Sequence, residues 1–114
     1  MLFRSVGKIE VDVVRDNIDL LSISGHKLYA PKGIGALYIN KSSKASRVIA
    51  QMDGGKHERG FRSGTLNVTG IVGLGEACEL VKKSLNNDYQ RLTLLRDELE
   101  QGIIENIIGS KVNG

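Results

Sequence analysis

Along the chain, the hydrophobic pattern changes character near residue 65. From Val6 onward, Ile9, Val11 and Val13 alternate with Glu10 and Asp12, a period of two that predicts a short extended segment. Asp19 to Ser24 is a compact, mostly apolar run that ends at Gly25 and predicts a buried strand. Lys32-Gly33-Ile34-Gly35 then leads into Ala36-Leu37-Tyr38-Ile39, a second strand. The connection between them is short and holds Pro31, the only proline. A parallel crossover needs about a dozen residues, so the two strands are antiparallel or not adjacent.

After residue 65 the period becomes helical. Ile71, Leu74, Cys78, Val81 and Leu85 share one face of a helix from about Asn67 to Leu85, with Thr65 or Asn67 as cap. A second helix is expected from about Asp88 to Ile108. Its stripe is Leu92, Leu95, Leu99 and Ile103, with Asn87 as cap and Gly109 as stop. On this face Cys78 reads as a buried structural thiol. Two strands and two helices do not close a sheet-based core, which points to a part of something larger.

Composition narrows the class. The 114 residues are 40% hydrophobic and 25% charged, ordinary for a globular domain. A net charge of +3 and 4% aromatics, without tryptophan, argue against a nucleic-acid surface. No apolar run is long enough to span a bilayer, and the first residues do not form a signal peptide. One cysteine excludes an internal disulfide framework and suits a reducing, cytoplasmic setting.

Two constellations could carry chemistry. Ser24-Gly25-His26-Lys27 stands at the C-terminal end of the first strand, where open α/β sheets place ligands. A lysine there can offer its amine for Schiff-base formation, with Ser24 and His26 beside it as hydrogen-bond donors. Spacing alone favours a surface loop with a chance lysine. The second is the glycine-rich basic stretch Gly54 to Thr65. Arg59 and Arg62 favour anions, and Thr65 lies at a helix start, where backbone amides favour phosphate. A flexible basic loop fits that stretch equally. His57-Glu58 lacks a second histidine at helical spacing and is not a metal motif. Gly33-Ile34-Gly35 precedes a strand and so is not a dinucleotide fingerprint.

Taken together, Ser5-Val6-Gly7-Lys8, Ser24-Gly25-His26-Lys27, Pro31 to Tyr38, His57-Glu58-Arg59-Gly60 and Arg62-Ser63-Gly64-Thr65 resemble the cysteine desulfurases. These belong to the class V aminotransferase group of pyridoxal-phosphate enzymes. The resemblance covers essentially the whole chain. It implies an α/β fold: residues 1–65 as the C-terminal part of the large domain of a fold-type I enzyme, and residues 66–114 as two long helices leading to the small domain. Lys27 would form the Schiff base with pyridoxal 5'-phosphate, Ser24 and His26 would contact its phosphate, and Thr65 would reach the phosphate in the partner subunit of a homodimer. The implied reaction converts L-cysteine to L-alanine and leaves an enzyme persulfide for an iron–sulfur scaffold or another sulfur acceptor. A selenocysteine lyase, another class V enzyme, or a non-catalytic interaction module are the alternatives.

The departures from the family pattern also carry expectations. Met1 and Arg4 stand where the family has the aspartate facing the pyridine nitrogen and the glutamine near the ring hydroxyl. The ring-stacking histidine, the catalytic cysteine and the substrate-carboxylate arginine have no counterpart here, and Cys78 does not align with that cysteine. Ala30 replaces a frequent glycine, and Lys56 interrupts the glycine run before His57. These departures predict a truncated reading frame and a fragment inactive alone.

Overall fold

The computed structural model describes residues 5–43 and 47–113. Strand β1, Leu20–Ser24, pairs antiparallel with β2, Gly35–Ile39, in the register Leu20↔Ile39 to Ser24↔Gly35. The short connection forces this orientation. It holds a four-residue 3-10 turn, Gly25–Leu28, and then Pro31. Leu21 is buried and Ile23 packs on the core, while Leu20 is half exposed, so β1 is buried on one face only.

Residues 6 to 13 do not form the expected strand. A single bridge joins Val6 and Ile9. Lys8 and Ile9 both donate their amides to the Ser5 carbonyl, at 3.0 and 3.1 Å. Asp12 then captures the chain: its Oδ1 accepts from the Val14 amide at 2.8 Å and the Arg15 amide at 3.0 Å. Those two backbone bonds, Arg15 first, hold the Asp12 carboxyl below its ordinary range. An aspartate that bonds its own backbone competes with strand pairing, and the alternating pattern could not show that no partner strand was available.

The two expected helices are one. Helix α1 runs unbroken for 39 residues, Val68–Asn106. Asn86-Asn87-Asp88, where the break was expected, contains neither glycine nor proline. Each of the three costs only some tenths of a kcal/mol in a helix, too little to stop it. Asn67 is the cap, its Oδ1 accepting from the Gly70 amide at 3.0 Å, and Thr65 is not. Asn67→Ala should cost about 1 kcal/mol. The check is the midpoint of thermal unfolding followed by circular dichroism at 222 nm.

The core is small and sits where α1 crosses the 3-10 turn. Leu28, Ala30 and Ala77 are buried, with Val6, Ile23, Ile34, Leu74 and Val81 packed against them. The buried seam of α1 therefore runs through Gly70, Leu74, Ala77 and Val81. Cys78 is one position off it and exposed, which corrects the expected burial. Apolar periodicity weights large side chains, whereas the close contact with Leu28 is made by the small Ala77. Beyond Leu85 the apolar residues of α1 stay open, among them Leu94, Leu95, Leu99 and Ile103.

Candidate cofactor-binding turn

The corner after β1 is built tightly from the backbone outward. Gly25 is buried, and its amide donates to the Ile34 carbonyl at 2.9 Å. A Cβ on Gly25 would lie 2.7 Å from that oxygen and 2.8 Å from Ile34 Cγ2, so no larger residue fits without displacement. The Ala30 amide returns to the Gly25 carbonyl at 3.1 Å, and the Tyr29 amide to the His26 carbonyl at 3.3 Å. Leu28, 2% exposed, anchors the turn to the core. With Leu28 committed inward, His26 is exposed and Lys27 half-buried.

Ser24, His26 and Lys27 thus share one corner. Among the described residues their side chains make no hydrogen bond or ion pair. A hydroxyl, an imidazole and an amine are left uncommitted on a backbone that cannot easily move. That donor set suits an anionic ligand with a carbonyl: two donors for the anion and one amine for the carbonyl carbon. The residues present fit a phosphorylated aldehyde such as pyridoxal phosphate.

Thr65 stands on a different loop. It is exposed, three residues before α1 begins. Arg62 folds back on this loop, Nη1 donating to the carbonyls of Gly64 at 2.8 Å and Thr65 at 3.2 Å. Its guanidinium therefore braces the loop through Nη1. The Thr65 hydroxyl has no partner among the described residues, and no hydrogen bond joins it to the Lys27 turn. Glu58 and Arg59 both adopt positive φ, 49° and 58°, on an exposed 3-10 turn. Met1 and Arg4 lie outside the described residues.

Sequence reasoning gave no role to Lys8 or Tyr29. Lys8 Nζ lies 4.8 Å from the Tyr29 ring centroid and donates to Tyr29 Oη at 3.4 Å. Nothing in the sequence brings these two residues, 21 positions apart, together.

Nearly the whole chain is similar to known proteins. The profile of the aminotransferase class-V family matches residues 3–114. The cysteine desulfurase IscS of Anaeromyxobacter dehalogenans (strain 2CP-C) is 51% identical over 111 residues, 97% of this chain and 27% of that protein. A solved NifS-like protein superposes with a TM-score of 0.78 at 37% identity, covering 89% of this chain and 27% of its own. The structure of SspA in complex with cysteine aligns at 48% identity with a TM-score of 0.61, covering 68% of this chain and 22% of its own. The chain belongs to the aminotransferase class-V family, a group of pyridoxal-phosphate enzymes. Its strand pair and long helix are a partial α/β unit of the fold-type I architecture. It spans about a quarter of the length of the curated relatives it matches.

Proposed function

We propose that this chain is the lysine-bearing segment of a pyridoxal-phosphate-dependent cysteine desulfurase. The observation that carries the reading is the rigid corner on which Ser24, His26 and Lys27 stand uncommitted. Similarity to the cysteine desulfurase IscS and to a structure in complex with cysteine supports L-cysteine as substrate. Residues 1–65 belong to the large, cofactor-binding domain on this reading, and residues 66–114 to the segment leading toward the small domain.

The chain's own residues have separate tasks. The Ser24 hydroxyl and the His26 imidazole bind the cofactor phosphate. Lys27 Nζ provides the covalent attachment, then accepts the proton from the substrate α-carbon and returns it to the product. When bound, the cofactor supplies an electron sink for the charge left at that carbon. Thr65 serves the phosphate of the partner subunit in a homodimer. The sulfur-accepting thiol, the pyridinium partner and the substrate-carboxylate arginine are assigned to the part of the relatives that this chain does not match. Cys78, exposed on α1, is not assigned that role, because it does not align with the family's cysteine. Sulfur passes to an iron–sulfur scaffold or another acceptor, and the setting is cytoplasmic. By itself the segment turns over no cysteine.

The test is chemical. Pyridoxal phosphate is added to the chain, the adduct is reduced with borohydride, and peptides are mapped by mass spectrometry. The label is expected on Lys27, with no alanine or sulfide released from added cysteine. Preferential labelling of Lys8 or Lys32 would overturn the assignment.

A further inference from the structure

Tyr29 closes the turn after Lys27 with φ 63° and ψ 16°, a left-handed conformation that aromatic residues seldom adopt. The residue is 85% exposed, so burial does not hold it there. Lys8 touches its hydroxyl end, Nζ donating to Oη at 3.4 Å and lying 4.8 Å from the ring centroid. Lys8 follows Gly7, which runs directly over the core. A Cβ on Gly7 would collide with the Leu28 side chain and sit 3.2 Å from Val81 Cγ1. One short segment therefore grips both residues that close the turn, Gly7 against buried Leu28 and Lys8 against exposed Tyr29. Lys27 precedes both, and no side-chain hydrogen bond or ion pair of its own restrains it among the described residues.

We infer that Lys8 and Tyr29 are positioning residues that hold the turn closed and so fix the direction in which Lys27 presents its amine. The inference rests on the reading of Lys27 as the cofactor lysine. Held closed, the turn keeps the amine aimed at one attachment point. Released, Tyr29 leaves the left-handed region and Lys27 swings with it.

Two readouts test this on the chain itself. The first is the rate of pyridoxal-phosphate labelling at Lys27 relative to Lys32, after borohydride reduction. The second needs no cofactor: amide hydrogen exchange at Tyr29 and Ala30, with Leu21 as the internal reference. An exposed cation–ring contact has a strength that corresponds to roughly a two- to fivefold change. Lys8→Ala should lower the Lys27 preference by that factor and raise Tyr29 and Ala30 exchange in step; Tyr29→Gly should lower the preference and raise Ala30 exchange, with Leu21 unchanged in both. Tyr29→Gly also relieves the left-handed strain, so loss of selectivity in a chain that folds at least as well separates aiming from folding. Lys8→Arg keeps the cation and should preserve the preference, whereas Tyr29→Phe removes the hydroxyl that accepts from Lys8 and should lower it. If the parent selects Lys27 and both disruptive variants select it equally, with unchanged exchange, the positioning role is wrong. If the parent selects no lysine, the cofactor reading falls, and the exchange data alone then decide the clamp. Exchange that rises equally at Leu21 also overturns the proposal, because the pair would then stabilise the whole fold.

Discussion

Mixing Lys27→Ala subunits with Thr65→Val subunits should yield heterodimers with one intact site. The experiment uses a chimera in which this chain's matched residues replace their counterparts in the Anaeromyxobacter relative. If Thr65 serves the partner's cofactor, both lesions fall on the same site. The other site keeps its own Lys27 and receives an unaltered Thr65. Purified heterodimers should therefore bind one cofactor per dimer with parental affinity and retain about half the parental turnover. Thr65→Val homodimers should bind the cofactor roughly ten- to a hundredfold more weakly, the cost of a lost hydrogen bond to a charged group. Lys27→Ala homodimers should form no reducible adduct and show no turnover. A heterodimer whose single competent site has the weakened Thr65→Val affinity would show that the contact is made within one subunit.

A single added methyl group at Gly25 should measurably destabilise the fold. The Cβ would meet a backbone carbonyl at 2.7 Å, and a backbone atom cannot rotate away as a side chain can. That carbonyl, of Ile34, is already held by the Gly25 amide at 2.9 Å, and the Gly25 carbonyl by the Ala30 amide at 3.1 Å. Relief requires opening the turn or separating it from β2. Overpacking of this kind costs about 1–3 kcal/mol, several degrees in melting temperature for a small domain. Thermal unfolding followed by circular dichroism reads it, and pyridoxal-phosphate labelling at Lys27 should weaken in the same variant. Gly75 provides the contrast. It lies in α1, and a Cβ there would have nothing within 4 Å, so Gly75→Ala should raise stability by about 0.5–1 kcal/mol. If Gly25→Ala melts with the parent, the tight approach to Ile34 is not a constraint.

The strand pair and the corner between its strands were legible because their signals are local. A compact apolar run, a connection too short for a crossover and the glycines around Pro31 together leave few arrangements. The motif Ser24-Gly25-His26-Lys27 was legible for the same reason. What escaped depends on neighbours distant in sequence or on backbone angles. Val6 to Val13 alternate as a strand does, but a strand needs a partner, and Asp12 folds the chain back on itself instead. The break expected near Asn87 rested on Asn87 as the cap of a second helix, but an asparagine costs too little inside a long helix to stop it. Cys78 was placed on the buried face by large neighbours, whereas the contact is made by Ala77, which carries almost no periodic signal. The left-handed backbone of Tyr29 has no signature in the residue type.

The length of α1 has a mechanical consequence. The helix packs on the turn that carries Lys27 through Leu74, Ala77 and Val81, and the stretch beyond Leu85 is exposed. At about 1.5 Å per residue, the stretch from Ala77 to Asn106 extends about 44 Å, so a tilt of about 5° at Ala77 sweeps the far end through roughly 4 Å. The helix is a lever with its fulcrum beside Leu28 and Ala77.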